Sequence, residues 1–317
     1  GVHATPHGES TVPGTGPGYE IARVGVAGIS IDGPHGGIRN ISKADEQFLT
    51  YNVVNPEALR DNIRQSALEI ALLPDLLATL TVSPGACPGA SPTAVSFNPK
   101  RLAVMGHSMG ATIAPLVLAA EPRYGATVMS GAGSSFIENV LFKKSPTPVR
   151  PVLEAMLGFS ERGLQIERGD PVLSLVQWAG EPADPPPYGR LARLRAAPPH
   201  ALIVQGIVDT YILPTIASAT HLSLGLELGG VALDATSPEL SAFPTYASLL
   251  DITGGVVRPL PAKGNQDGVT AIVVQHPEDG IEDGHAAFFQ QEGPKIQYRH
   301  FLETWAAGAA PVVPEPL

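Results

Sequence analysis

A serine with glycines two positions before and after it is the strongest chemical feature of the sequence. Gly106–Gly110 reads GHSMG and matches the pattern G-x-S-x-G. An apolar run, Arg101–Gly106, precedes it and an Ala/Leu-rich stretch, Ala111–Ala120, follows it, so it lies between a predicted strand and a predicted helix. We expect a turn so sharp that larger flanking side chains would collide, with the Ser108 hydroxyl exposed. Ser108 is the candidate nucleophile, and the alternative is a structural turn with an unreactive serine.

The helix predicted after Ser108 supplies a second chemical element. Free backbone N–H groups and the positive end of the helix dipole would lie beside the serine hydroxyl. The N–H of Met109 is therefore a candidate donor for an oxyanion that forms when a serine attacks a carbonyl.

These motifs resemble those of the α/β-hydrolase superfamily, and the resemblance covers nearly the whole chain. The His-Ser-Met elbow is similar to that of bacterial esterases and lipases, and the helix Asn55–Gln65 is similar to one in lipases of the bacterial virulence-factor type. The resemblance implies a catalytic triad in the order serine, acid, histidine. It also implies that His107 points away from the reaction, as a packing residue at the edge of the substrate site.

Two residues fit the acid and the base in that order. Asp209 follows the apolar run Ala201–Gln205, so it is expected at the carboxyl edge of a parallel sheet, where Ser108 also lies. His285 lies ten residues after the last predicted strand, Ala271–Gln275. His285 would take the serine proton, and Asp209 would fix the tautomer of the imidazole.

Other acids and histidines remain as alternatives. Asp209 could instead cap a helix, and Asp283 is so close to His285 in sequence that it could act only from the side. The other candidate acids are Asp234 and Asp251. The remaining histidines are expected to be structural or to fall outside the required order, and they are His3, His7, His35, His200, His221, His276 and His300.

The second oxyanion donor is expected near the N-terminus. Residues 6–9 (PHGE) resemble the His-Gly segment of hydrolases, which implies the N–H of Glu9 as the donor, with one helix, Gly18–Arg23, before the next strand. The alternative is a flexible tail. If the match holds, the first strands of the fold are missing, and a partner chain or self-association would complete the sheet edge.

Apolar runs alternate with helical patterns along the chain. Asn55 and Pro56 open a helix that Pro74 is expected to bend or end. This alternation predicts a doubly wound, mostly parallel α/β sheet. The remaining predicted elements are the strands Val24–Asp32 and Ala126–Met129 and the helix Ile296–Ala306, whereas residues 229–268 are expected to be loop-like.

Residues 131–198 interrupt the alternation with helical pieces and a proline-rich run. We expect them to form a cap-like insertion on a core made of residues 1–130 and 199–317. Trp178 in this segment, Tyr211 after the predicted acid, and His107 in the elbow are expected to contact substrate. Other apolar side chains of the segment would line an acyl chain or simply pack on the core, and they are Leu141, Phe142, Met156, Leu157, Phe159 and Tyr188.

Composition excludes several classes of function. The net charge of −10 on 317 residues, without a Lys/Arg cluster, argues against nucleic-acid binding. The single cysteine, Cys87, excludes an intrachain disulfide, and no apolar run is long enough to span a membrane. The first residue is Gly and residues 1–18 have no signal-peptide pattern, so we expect that a targeting segment was removed, which slightly favours an extracellular or periplasmic location.

The sequence therefore predicts a serine hydrolase that cleaves small-molecule or lipid carboxylic esters through an acyl-enzyme, without a cofactor or metal. Two alternatives stay open at this point. A peptidase or an acyltransferase could use the same three residues, and a binding protein could keep the fold without catalysis.

Overall fold

Six parallel strands form the central sheet in the computed structural model, which describes residues 16–86, 89, 93–280 and 283–316. Helices lie on both faces of this sheet, which confirms the predicted doubly wound α/β fold. Two antiparallel pairs, of the first strand with the second and of the eighth with the tenth, lie outside it. The strands of the described residues are β1 Thr81–Val82, β2 Val95–Ser96, β3 Leu102–His107, β4 Tyr124–Ser130, β5 His200–Gly206, β6 Glu227–Gly229, β7 Val257–Arg258, β8 Ala262–Lys263, β9 Ala271–His276 and β10 Val312–Val313.

The helices connect the strands and cover the sheet. Within the described residues the α-helices are α1 Pro17–Ala22, α2 Glu46–Thr50, α3 Pro56–Thr79, α4 Met109–Ala120, α5 Phe136–Phe142, α6 Val149–Met156, α7 Pro171–Gly180, α8 Pro185–Arg193, α9 Pro214–Ser223, α10 Tyr246–Thr253, α11 Ala287–Gln290 and α12 Glu292–Ala306. The predicted helices at Gly18–Arg23, Ala111–Ala120 and Ile296–Ala306 correspond to α1, α4 and α12.

The strand order of the sheet is β3-β4-β5-β9-β6-β7, with every neighbouring pair parallel. His107 at the end of β3 pairs with Ser130 at the end of β4, and Gly206 at the end of β5 pairs with His276 at the end of β9. The segments that leave β3, β5 and β9 therefore start at one edge of the sheet. This parallel register places the loops of Ser108, Asp209 and His285 together.

Alternate side chains of the strands point into two hydrophobic layers. Leu202 and Val204 of β5 face α1 and α12, whereas Ala201 and Ile203 face α3, α4 and α8. Both sets are buried, as expected for strands of a parallel sheet that is covered on both faces. The two layers hold the sheet rigid beneath the loops that carry the candidate site.

Pro74 does not end α3, which continues to Thr79. A proline inside a helix leaves the carbonyl four residues earlier without its usual donor. Here that carbonyl belongs to Ile70, and the Tyr124 hydroxyl donates to it at 2.8 Å. The lost backbone hydrogen bond is thus replaced from β4. The start of the helix is as predicted, with the Asn55 side chain accepting from the N–H of Ala58.

Two predictions of secondary structure were wrong. Val24–Asp32 forms no strand, because it has no β partner among the described residues and Ile29 and Ile31 are largely exposed. Residues 229–268 are not simply a loop, since they contain α10, β7 and β8. β7 and the preceding β6 have only two and three residues, which is too short for a pattern to be visible in the sequence.

β3 is an edge strand in the described part of the chain, since it pairs only with β4 there. That a partner chain or self-association completes this edge stays a prediction, and so does the division into a core and an insertion at residues 131–198. Within that insertion, Val140, Ile166 and Leu173 form a small separate cluster, whereas Ala192 of α8 belongs to the main core.

Candidate functional site

Ser108 lies at the turn between β3 and α4 in the conformation expected of an exposed nucleophile. Its φ of 53° and ψ of −113° are strained for a residue with a side chain. The turn is held by the Ser108 N–H, which donates to the Ser130 carbonyl at 2.9 Å, and by its own carbonyl, which accepts from Ala111 at 2.9 Å. The Met109 N–H belongs to the first turn of α4, where backbone donors have no acceptor within the helix.

The glycine before the serine is required by the sharpness of this turn. A Cβ on Gly106 would overlap the backbone of Gly110, so no larger residue fits there. The expectation of a similar clash at Gly110 was wrong, since a Cβ there would meet nothing within 4 Å apart from the nearby backbone of its own helix. The collision is one-sided because Gly110 already lies on the open surface of the first helical turn.

Asp209 is a buried carboxylate whose oxygens both accept hydrogen bonds. Oδ1 accepts from the N–H groups of Tyr211 and Ile212, each at 2.8 Å, and Oδ2 lies 2.7 Å from Nδ1 of His285. Only 6% of the residue is exposed. These hydrogen bonds hold the carboxylate in one orientation.

Asp209 follows a strained residue and a close approach of two loops. Val208 has a φ of 65°, which is a rare conformation for a β-branched side chain. A Cβ on Gly206 or on Gly284 would overlap the backbone of the opposite loop. These features bring the loop after β5 and the loop after β9 into direct contact, which is why Asp209 and His285 can meet although 76 positions separate them.

His285, the predicted base, lies beside Asp209. It is only 3% exposed, and its ring stacks on Tyr211 with centroids 4.6 Å apart and planes inclined by 15°. A Cβ on Gly131, the residue after Ser130, would lie 2.5 Å from Cε1 of His285. Gly131 directly follows Ser130, whose carbonyl accepts from the Ser108 N–H, so the imidazole lies beside the segment that is bonded to the serine turn.

Four of the other histidines have structural surroundings. Nδ1 of His200 accepts from the N–H of Thr270 at 3.0 Å, and burial lowers the pKa of His200 to about 4. Burial lowers the pKa of His221, inside α9, to about 3. Burial also lowers the pKa of His276, whose Nε2 lies 2.7 Å from Gln297. His300 pairs with Glu303 on the exposed side of α12.

The alternative acids lie away from the His285 ring or bond to backbone groups. Oδ2 of Asp234 accepts from the N–H of Tyr246 at 2.6 Å, and Asp251 is exposed on α10. Asp283 accepts from the N–H of His285 at 2.9 Å and from Thr210, so it contacts the backbone of the base and not its Nδ1. Among these aspartates, only Asp209 is bonded to an imidazole nitrogen of His285 in the described structure.

The three residues predicted to contact substrate differ in where they lie relative to His285. Tyr211 lies on the His285 ring. His107 packs as predicted, but against the His285 ring at 4.6 Å and the Phe289 ring at 4.6 Å, and does not point away from the site. Trp178 is 77% exposed on α7, and no described contact joins it to the other site residues.

The sequence did not indicate Lys143 as part of this neighbourhood. Its Nζ donates to the Tyr211 carbonyl at 3.1 Å and lies 5.9 Å from the centre of the Tyr211 ring. Burial lowers the pKa of Lys143, although the nearby charge of Asp209 acts in the opposite direction. Nothing in its sequence context, the end of a short helix, signals this contact. Lys143 thus links residues 131–198 to Tyr211, whose ring stacks on His285.

Some predicted features lie outside the described residues. These are Glu9, the proposed second oxyanion donor, together with His3, His7 and Cys87. Within the described ranges, no group of three or more His, Cys, Asp or Glu side chains is arranged to hold a metal ion. In the same ranges, no helix combines the length and the apolar character that crossing a membrane requires.

Comparison with solved structures finds weak similarities, two of which follow. No family model matches the chain, and no curated protein sequence matches it. The acylaminoacyl peptidase of Pyrococcus horikoshii is similar with a TM-score of 0.34 and 10% identity, over 66% of this chain and 24% of that chain. Acetyl xylan esterase 1 of Thermoanaerobacterium sp. JW/SL YS485 is similar with a TM-score of 0.34 and 18% identity, over 63% of this chain and 50% of that chain.

The chain thus spans about a quarter and one half of the lengths of these two solved proteins. Both carry the names of hydrolases. At such identities and TM-scores, the assignment of a function to this chain depends on the geometry of its own site.

Proposed function

We propose that this protein is a serine hydrolase that cleaves carboxylic esters, with Ser108 as the nucleophile, His285 as the base and Asp209 as the acid. The observation that carries the proposal is the 2.7 Å contact between Nδ1 of His285 and Oδ2 of Asp209, at the sheet edge where Ser108 immediately precedes α4. The order of the three residues along the chain matches that of α/β-hydrolases.

Asp209 selects the reactive tautomer of the base. Because its Oδ2 accepts from Nδ1–H of His285, the other nitrogen, Nε2, is left with a free lone pair. Nε2 takes the proton of the Ser108 hydroxyl as its oxygen attacks the ester carbonyl. The positive charge that then develops on the imidazole is stabilised by the Asp209 carboxylate, which two backbone N–H groups hold in place.

The tetrahedral intermediate carries a negative oxygen. The Met109 N–H, at the N-terminus of the twelve-residue α4, is proposed as one donor to it. The intermediate collapses when the bond to the alkoxy group breaks and the imidazolium returns its proton to that group. Water then attacks the acyl-Ser108 ester, with His285 again taking a proton, and the carboxylic acid and free serine are released.

The aromatic surroundings of the base support the proposed substrate class. Tyr211 and His107 lie on the His285 ring and would contact the substrate near its carbonyl. Trp178 would join them only if the substrate reached the exposed face of α7. A small-molecule or lipid ester suits such a site, and an amide substrate or transfer to another alcohol are the competing outcomes.

Hydrolysis of p-nitrophenyl esters of increasing acyl length, compared with p-nitroanilides, tests this proposal. We expect ester turnover that is lost in Ser108→Ala and kept in a matched variant of an exposed serine, Ser160→Ala. Faster cleavage of the anilides would favour a peptidase. Absence of turnover on both substrate types, in a folded protein, would favour a binding protein and contradict the proposal.

A further inference from the structure

Thr210, the residue after Asp209, joins three separate segments of the chain. Its N–H lies 3.1 and 3.2 Å from the two oxygens of Asp283, and its hydroxyl lies 2.6 Å from Oδ2 of Asp283. The same hydroxyl lies 2.8 Å from the hydroxyl of Ser145. Its carbonyl accepts from the N–H groups of Lys144 and Ser145 at 3.2 and 3.1 Å.

Asp283 accepts hydrogen bonds from the backbone of His285 and from Thr210, the residue after Asp209. One of its oxygens accepts from the N–H of His285 at 2.9 Å, while both face Thr210. The carboxylate therefore ties the residue after the acid to the backbone of the base. A charged acceptor with several N–H and O–H donors makes bonds that are stronger than those between neutral groups.

The loop that carries Asp209 needs such a tie because it is strained. Val208 has a φ of 65°, and a β-branched residue persists in this region only when its surroundings hold it there. The Val208 carbonyl accepts from Gly284, but at a long 3.4 Å. The bonds of Asp283 are shorter, so they are the stronger connection between the two loops.

We propose that Asp283 is a positioning residue that, through Thr210, holds the Asp209 carboxylate at bonding distance from His285. This inference rests on the proposed function of the three catalytic residues. Asp283 touches neither the reacting serine nor Nδ1 of His285 in this arrangement. Its contribution is to keep a 2.7 Å contact that a shift of about 1 Å would break, and misplacement of that size costs up to about 10²-fold in rate.

Substitution of Asp283 by Asn is the first test. The amide keeps the size of the side chain but replaces one acceptor by an N–H₂ donor, which faces the donors of Thr210 or His285. We expect kcat to fall about 10- to 100-fold with KM changed less than twofold. The matched carboxylate-to-amide variant, Glu161→Gln at an exposed position, should keep the kcat of the native protein.

A second pair of variants covers the case in which Asp283→Asn does not fold. Thr210→Val removes the hydroxyl without changing the shape of the side chain, and Thr210→Ser keeps it. We expect kcat to fall about tenfold in Thr210→Val and to be restored in Thr210→Ser. Equal kcat in both, with Asp283→Asn either unfolded or as active as the native protein, would overturn the inference.

A readout that does not depend on turnover separates this inference from the proposed function. The Nδ1 proton of His285, bonded to Asp209, should give a low-field proton resonance, and ¹⁵N labelling of histidine would assign it. We expect it to weaken or move upfield in Asp283→Asn and Thr210→Val but not in Glu161→Gln. If the native protein has the resonance but no esterase activity, the proposed function fails; if the resonance and kcat are unchanged in both variants, the positioning role fails.

Discussion

Replacing Asp209 by Asn separates the chemical role of this side chain from its structural role. The Asn carbonyl can still accept from the N–H groups of Tyr211 and Ile212, which lie 2.8 Å from Oδ1. The amide nitrogen takes the place of Oδ2, 2.7 Å from Nδ1 of His285. It donates to that nitrogen, so the ring is held with its proton on Nε2 and cannot accept the proton of Ser108.

The size of the effect follows from the loss of the base. The wrong tautomer is expected to lower kcat by about 10⁴-fold, which corresponds to about 5 kcal/mol in the activation free energy. The fold should change little, because the Asn variant keeps the two backbone bonds. Asp209→Ala loses them too and leaves two buried N–H groups without an acceptor, which costs about 1 to 3 kcal/mol for each group.

Activity and stability measurements should therefore rank the two variants differently. Ester hydrolysis should fall to similarly low levels in Asp209→Asn and Asp209→Ala, whereas urea denaturation should find the alanine variant clearly less stable. Native-like turnover in Asp209→Asn, together with a severe loss in Asp251→Asn, would refute the assignment of the acid. Equal stability of the two Asp209 variants would refute the structural part of the reasoning.

Three further outcomes are expected. Gly131→Ala would place a Cβ 2.5 Å from Cε1 of His285, at a position whose backbone φ is 54°. We therefore expect kcat to fall at least about 10²-fold, and a kcat within twofold of the native value would exclude this contact. Tyr124→Phe leaves the Ile70 carbonyl of α3 unbonded, so urea titrations should find the free energy of unfolding lowered by about 1 to 2 kcal/mol, with kcat unaltered. An unchanged midpoint of urea unfolding would contradict this expectation. Burial raises the pKa of Asp184, the residue before α8, from 3.8 to about 6, so the folded state binds more protons than the unfolded state between these values. The free energy of unfolding relative to Asp184→Asn should therefore fall by about 2 kcal/mol as pH rises from about 4 to 6, with a flat difference as the contrary result.

The elements nearest the site were the most predictable from sequence. β4, β5 and β9 are almost fully buried and every second residue of β3 is buried, so their apolar runs are easily recognised. Ser108 was indicated by the glycine pattern between a strand and a helix. Asp209 was indicated because it directly follows such a strand. The burial of these strands made both the strands and the positions of their ends predictable from the sequence.

The features that escaped prediction depend on contacts between distant segments. The course of α3 past Pro74 depends on the Tyr124 hydroxyl, which lies on another element. The hydrogen bonds of Thr210 with Asp283 and Ser145 join segments more than 60 positions apart, and no local sequence pattern indicates them. The strand expected at Val24–Asp32 had the right residue types but lacks a β partner in the described structure, which sequence alone does not reveal.

Incubation with a fluorophosphonate, followed by intact-mass measurement and peptide mapping, tests the central claim most directly. A serine made nucleophilic by His285 and Asp209 should gain one covalent adduct, located at Ser108. The adduct should be absent in Ser108→Ala and form much more slowly in Asp209→Asn. A folded native protein that gains no adduct, or gains it equally in Ser108→Ala, would contradict the account.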